Sequence, residues 1–408
     1  MSFWENPAGS AAGDHPSIAI VHGRVYTGTG VVFDPGTVII AGGKIQAVGG
    51  DADLAGAVPA NARIVDARGK VVTPGLIDPH THLGISEEGI GWEGWDYNET
   101  TDPVTPQLRA IDGINPEDEG LKDAARNGIT TVITGPGSAN VIGGQSVAIK
   151  TWGHVIDDMV VRQPAGMKAA FGENPKRVYS QQKKTPVTRM GTAALMRKAL
   201  VEAQNYRDKW ERWEAGGKDP EKKPERNLAM EALLPVLRRE LPMRVHSHRA
   251  DDIMTAIRIA EEFDIVITIE HATEAHKVAP ELAKRHLRAV VGPNMTSRSK
   301  VELRDKSFAT PRVLYEAGVE FALCTDHPVI PIQFLPLCAA MAVRAGLPED
   351  VALRAMTLNA ADIIGVADRL GSLEPGKDAD VVVWSGWPLE AQSQAEAVFI
   401  NGQQVPRE

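Results

Sequence analysis

The sequence predicts an α/β protein: a closed (β/α)8 barrel beside a small β-sandwich assembled from both ends of the chain. Three observations carry that prediction. Between residues 71 and 370, short apolar runs rich in β-branched residues alternate with helix-like stretches, the pattern of parallel strands with helices outside. The 408 residues exceed the roughly 250 that a large α/β barrel uses, so a second, smaller unit is expected. Residues 17–70 and 371–408 have a different texture, short strands around Gly-containing turns, and such strands are not stable alone.

In chain order, residues 1–16 are rich in Ala, Gly and Pro and are expected to be loosely ordered. Strands follow at 18–21, 24–26, 37–40, 44–48 and 62–66, with turns at His22-Gly23 and Ala41-Gly42-Gly43-Lys44. Strands at 379–384 and 397–402 have the same character and complete the N-terminal sheet. In the barrel region, helices are predicted over 116–127, 252–263, 274–285, 311–317 and 348–356. The second is clearest, because Ile253, Ala256, Ile257, Ala260 and Phe263 form one apolar stripe, a core-packing face. From 180 to 226 charged residues crowd a segment broken by Gly216-Gly217, Pro220 and Pro224, which reads as a solvated insertion, with a mobile lid as the alternative.

Composition narrows the function classes. Hydrophobic content of 43% with 24% charged residues fits an ordinary globular protein. A net charge of −9 argues against nucleic acid as partner, since no basic surplus exists to release counterions. Two cysteines, Cys324 and Cys338, form no disulfide framework and are compatible with a reducing compartment. Neither a secretory signal nor a run of roughly 18 apolar residues is present, so a cytoplasmic protein with no membrane partner is expected. A small-molecule substrate is expected, and self-association is left open.

The chemistry starts at Val71-Val72-Thr73-Pro74-Gly75-Leu76-Ile77-Asp78-Pro79-His80-Thr81-His82, an apolar strand ending in two imidazoles. Residues i and i+2 of a strand project to the same face, so His80 and His82 can share a divalent metal. Later strands end similarly, in Arg244-Val245-His246-Ser247-His248, Ile267-Thr268-Ile269-Glu270-His271 and Cys324-Thr325-Asp326, while Met167-Lys168-Ala169-Ala170-Phe171-Gly172-Glu173 ends in a carboxylate. With the tail Gly371-Ser372-Leu373-Glu374-Pro375-Gly376-Lys377-Asp378-Ala379-Asp380-Val381, these stretches resemble the amidohydrolase superfamily of metal-dependent hydrolases, and within it the imidazolonepropionase-related amidohydrolases.

That resemblance covers nearly the whole chain and implies a distorted TIM barrel in which the two chain ends form one composite domain. In a barrel the carboxyl ends of the strands meet on one rim. There His80, His82, His246, His271 and Asp326 form a ligand set suited to Zn²⁺, in one or two copies, with Mn²⁺ or Fe²⁺ as alternatives. Many members bridge two metals with a carboxylated lysine on the fourth strand, and others use a glutamate. Glu173 is the first choice here, with Lys168 and Lys150 nearby; alternatively Glu173 caps its helix or pairs with Arg177. His248 is a ligand, a substrate contact or structural, since the resemblance makes the first His of its pair the ligand.

A metal lowers the pKa of bound water and polarises a carbonyl. Asp326 then accepts the proton of the attacking hydroxide's parent water and returns it to the departing nitrogen, with His271 or His248 supporting the oxyanion. Hydrolysis of an amide or cyclic-amide C–N bond is therefore expected. A dipeptidase or N-acyl amino acid hydrolase is the alternative. A deaminase ranks lower, because that branch carries Glu three residues after the fifth-strand His and this chain has Arg249. From another class, a non-catalytic assembly protein on the same barrel is disfavoured by the complete ligand set. Candidate substrate contacts are Trp92, Trp95 and Tyr97 after the first strand, Asn140 after the second, Arg249 after the fifth, and Asn294 and Arg298 after the seventh. The aromatic residues either stack on substrate or pack a lid, and Arg298 either holds a carboxylate or serves the surface.

Overall fold

The computed structural model describes residues 17–407, so the expectation for residues 1–16 lies outside the described residues. Two eight-stranded sheets organise the chain. The first contains strands from both termini, in the order Gln403–Gln404, Ala395–Ile400, Val381–Trp384, Val71–Pro74, Ile18–Tyr26, Val32–Ala41, Lys44–Gly50. Arg63–Asp66 pairs with the first half of Ile18–Tyr26 and Val71–Pro74 with its second half, so the sheet forks there. The C-terminal strand Val381–Trp384 runs antiparallel to Val71–Pro74, Val381 opposite Pro74. Side chains from both arms, among them Ile20, Val38, Val72, Val381 and Phe399, meet in one apolar cluster. Burial of that cluster stabilises strands that neither terminus could hold separately.

The second sheet is the barrel. Its strands follow chain order: Leu76–Thr81, Ile129–Thr134, Ile142–Lys150, Val160–Ala170, Met243–Ser247, Ile267–His271, Arg288–Val291 and Phe321–Leu323. The third strand is antiparallel to both neighbours, which breaks strict β/α alternation. The physical reason is a missing crossover and a close long-range approach: the link from Thr134 to Ile142 carries no helix, and Gly144, with φ +129°, lets Leu108 O approach where a Cβ would stand at 2.6 Å. The eighth and first strands close through side chains, Thr325 N and Oγ1 donating to Asp78 Oδ2 at 2.9 and 2.6 Å, with His82 N donating to His327 O at 2.9 Å.

Helices occur where periodicity predicts them, at Glu119–Arg126, Ala250–Phe263, Ala279–Lys284, Thr310–Glu316 and Glu349–Ala355. The charged segment differs from the loop expectation. Residues Arg189–Ala215 form a 27-residue helix, followed by Leu228–Leu237. Thr192, Met196, Ala199 and Ala203 make its buried stripe, so the first half is a barrel helix and the lysines and arginines occupy the outer face. Its far half carries Tyr206, Trp210 and Trp213, whose rings pack on one another at 6.1 and 5.5 Å, giving the projecting hairpin a small core of its own.

The sheet and the barrel are joined by a buried charge network. Lys150 Nζ lies 2.7 Å from Asp380 and 3.5 Å from Asp378, and Asp378 also pairs with Lys44 and Arg369. Among the described residues no helix is long and apolar enough to cross a membrane.

Candidate metal centre

The first strand delivers two imidazoles to the barrel mouth with their ring orientations fixed by acceptors behind them. His80 Nδ1 donates to Glu270 Oε2 at 2.6 Å, and His82 Nδ1 donates to Gly135 O at 2.7 Å. Each ring therefore turns its Nε2 lone pair inward, the arrangement that backed imidazole ligands adopt. Asp326 Oδ1 lies 3.4 Å from both of those Nε2 atoms.

His271 obeys the same logic from the sixth strand, its Nδ1 donating to Gly292 O at 2.9 Å. A regular strand would send Glu270 and His271 to opposite faces. Here φ values of +67° at His271 and +50° at Ala272 place the backbone in the left-handed region, and both side chains reach the cluster. Asp326 has φ +56°, so strain collects on two residues that converge on one point.

From the fifth strand, Arg244, His246 and His248 alternate onto one face. Arg244 is 2% exposed and ties the wall together, Nη2 donating to Pro79 O at 2.6 Å and to Glu270 Oε2 at 3.1 Å. Gly166 leaves room for it, because a Cβ there would meet Arg244 Cδ at 2.3 Å. His248 Nδ1 is 2.8 Å from Thr273 Oγ1, and its Nε2 is 3.7 Å from Glu302 Oε1.

Two groups have metal-ligating geometry. His80, His271 and Asp326 bring ligand atoms within 4.8 Å of one another, and so do His246, His248 and His271. Their chemistry fits a cation. Among the described residues, neither nitrogen of His246 nor Nε2 of His271 has a hydrogen-bond partner although all three are buried. An unsatisfied buried polar atom costs about 1–3 kcal/mol, and coordination would satisfy these without protonating them. Burial, reinforced by nearby cations and imidazoles, pushes His80, His246, His248 and His271 well below the ordinary imidazole range, so they present lone pairs. Asp78, held by Thr325 and His80 N, is raised by burial to about 7.

The fourth-strand residue in this cluster is Lys168, with Nζ 3.1 Å from His80 Nε2. Burial lowers its ammonium to about 8. Glu173, the sequence-based choice, is not brought into either group. It begins the helix Glu173–Gln181, where its amide donates to Glu302 Oε2 at 2.9 Å. The fourth strand ends at Ala170, so the last strand residue to face inward precedes the carboxylate.

Of the substrate candidates, Tyr97 stacks on His82 with centroids 5.4 Å apart, at the site. Trp92 and Trp95 lie 80% and 54% exposed around the turn Gly91–Gly94. Asn140 is consumed by structure, donating to Glu99 O and Thr105 Oγ1 and accepting from Tyr179 Oη. Arg249 pairs with Asp251 at the surface. Asn294 and Arg298 line a neighbouring cavity on the same rim. Asp78, Arg244 and Glu270, which brace these side chains, stand inside the strand-end stretches but have no role there on the sequence alone; the alternation Arg244, His246, His248 is the signal that could have found Arg244.

Inward imidazoles and a strand-end carboxylate on the carboxyl rim of a barrel form a set that could hold a divalent ion, as the sites of metal-dependent hydrolases do. Comparison with known proteins narrows this. Residues 239–406 match the amidohydrolase family. A crystal structure of an amidohydrolase from Thermotoga maritima MSB8 is 46% identical, covers 96% of this chain and 100% of that one, and superposes with a TM-score of 0.92. This chain belongs to the amidohydrolase family and is a hydrolytic enzyme. Amidohydrolase tasK of Hapsidospora irregularis is 33% identical over 403 residues, 92% of this chain, and the chain spans 40% of that protein's length. Imidazolonepropionase of Geobacillus kaustophilus is 26% identical over 389 residues, covering 87% of this chain and 84% of that protein.

Proposed function

We propose that this enzyme hydrolyses an amide or cyclic-amide C–N bond of a small substrate at a divalent metal centre. The observation that carries the reading is the convergence of His80, His82 and Asp326 on one point, beside His246 and His271, whose buried ring nitrogens lack partners among the described residues. His80, His82 and Asp326 would hold one ion; His246 and His271 would hold a second, with Lys168 beside His80. When bound, such an ion supplies a water acidified toward neutrality and a Lewis acid for the scissile carbonyl.

The remaining chemistry falls to the chain's own groups. Asp326 takes the proton of the attacking water and returns it to the departing nitrogen. His271 acts as a ligand and not as an oxyanion donor, because the bond to Gly292 O fixes its proton on Nδ1. His248 would serve the oxyanion instead, in the tautomer in which Thr273 Oγ1 donates to Nδ1 and the ring proton lies on Nε2. Lys168 replaces Glu173 as the bridging candidate. Among the described residues it has no carboxylate within ion-pair distance, and its neutral amine can add CO₂, losing a proton, to become an anionic carbamate.

A deaminase is disfavoured by Arg249, which occupies the position three residues beyond His246 and pairs with Asp251. The imidazolonepropionase relatives make a cyclic amide the first substrate to test, and dipeptides and N-acyl amino acids the second. A screen of imides, imidazolones, dipeptides and N-acyl amino acids with protein loaded with Zn²⁺, Mn²⁺ or Fe²⁺ tests the reading. Turnover that chelator removes and metal restores is expected, and chelator-resistant turnover overturns it. Asp326→Asn should lower kcat by about 10²–10⁴-fold with the fold intact; a variant of normal activity contradicts the proton-transfer role.

A further inference from the structure

A second opening lies on the same rim, built by residues 292–308. This loop leaves the seventh strand beside the metal centre, where Gly292 O accepts from His271, and returns to it at Glu302, 3.7 Å from His248. Between those points it borders an open cleft of about 540 Å³. Its apolar lining is Met295, Phe308 and Met341. Met295 is held by a sulfur contact of 3.6 Å to Cys338 on the neighbouring helix Leu335–Arg344.

The same lining carries two cations, Arg298 and Lys306. Lys306 is 8% exposed, and among the described residues neither cation has a carboxylate partner within ion-pair distance. Burying an ammonium beside a guanidinium without a counter-charge is unfavourable, so the pair needs an explanation. Their donors can be counted. Arg298 spends Nε on Arg304 O at 2.8 Å and Nη2 on Lys306 O at 3.2 Å, leaving Nη1 uncommitted. Lys306 Nζ donates to Thr296 O and Oγ1, leaving one of its three N–H groups. The carbonyl contacts fix both heads in place and leave a donor on each, the requirement for gripping the two oxygens of one carboxylate.

We infer that this cavity is the specificity pocket of the enzyme, and that it takes a substrate carrying a free carboxylate next to an apolar side chain. The inference rests on the hydrolase reading above and favours an N-acyl amino acid or dipeptide over a neutral amide. Arg298 and Lys306 hold the carboxylate, Met295, Phe308 and Met341 cover the side chain, and the acyl C–N bond extends toward His248 and the metal centre.

The test uses the metal-loaded full chain and two probes that resist hydrolysis, N-methanesulfonyl-L-methionine and its neutral carboxamide, with dissociation constants from calorimetry. Wild-type protein is expected to bind the carboxylate about tenfold or more tightly than the carboxamide, the scale of one well-placed charge-assisted pair. Lys306→Met and Arg298→Ala should each bring that ratio toward one, and Lys306→Arg should preserve it. Equal affinity for the two probes in wild type, or a ratio unmoved by both substitutions, overturns the inference. If Lys306→Met fails to fold, the exposed Arg298→Ala decides alone. A retained carboxylate preference without hydrolysis of any acyl amino acid would sink the cleavage reading and spare the pocket; brisk hydrolysis of neutral amides with no preference would do the reverse.

Discussion

Glu270→Gln isolates what orients the metal centre from what binds the metal. Glu270 is fully buried, and its Oε2 receives both His80 Nδ1 at 2.6 Å and Arg244 Nη2 at 3.1 Å. The amide keeps the shape and one acceptor but removes the charge. Arg244, 2% exposed and already carrying an unpartnered Nη1, then lies buried without its counter-ion. Breaking a buried pair on one side costs about 3–5 kcal/mol. At roughly 2.1 cal/mol/K per residue over 408 residues, that corresponds to a melting temperature lower by about 4–6 °C. His80 meanwhile loses the anion that fixes its tautomer, and loss of such a backing partner weakens metal affinity by about 10–100-fold. Competition against a chromophoric chelator measures the second effect and calorimetric melting the first. A normal metal affinity alongside a lowered melting temperature would refute the orienting role, and no change in either would refute the burial argument as well.

Other consequences follow from the same geometry. Lys150→Met should destabilise the junction of sheet and barrel by about 3–5 kcal/mol, because Asp380 and Asp378 lose a buried cation, and chemical denaturation reads this directly. Burial would raise Asp378, but Lys150, Lys44 and Arg369 outweigh it and hold it below its usual value. Its contribution is therefore complete above the ordinary carboxylate pKa of about 3.9 and is lost as pH falls through the lower folded value, so the variant should unfold in acid at higher pH than wild type. Burial pushes the Cys324 thiol well above its ordinary value and Cys338 up to about 12. Neither should react with a thiol reagent in the folded protein at neutral pH, and labelling of either without unfolding, seen by mass spectrometry, contradicts this.

Much of the centre was legible because ligand-type residues sit at strand ends, where alternation assigns a face. His80 with His82, and His246 with His248, follow that rule. It fails where the backbone leaves the strand. Glu270 and His271 both reach the cluster because His271 is left-handed, a feature no propensity encodes. Glu173 is the carboxylate after the fourth strand, yet it is Lys168, within an apolar run, that lies beside His80. The charged segment misled for a different reason. Charge density marks an outer helical face as readily as a loop, and the Thr192, Met196, Ala199, Ala203 stripe beneath it was the contrary signal. Antiparallel insertion of the third strand depends on a close approach at Gly144, a tertiary contact absent from local pattern.

The most direct measurement is anomalous diffraction from crystals of this protein grown with Zn²⁺, scanned at the metal edge. A peak within coordination distance of His80 Nε2, His82 Nε2 and Asp326 is predicted, diminished in His80→Ala. A fully occupied metal elsewhere, or none at this position when the ligands are ordered, would contradict the account.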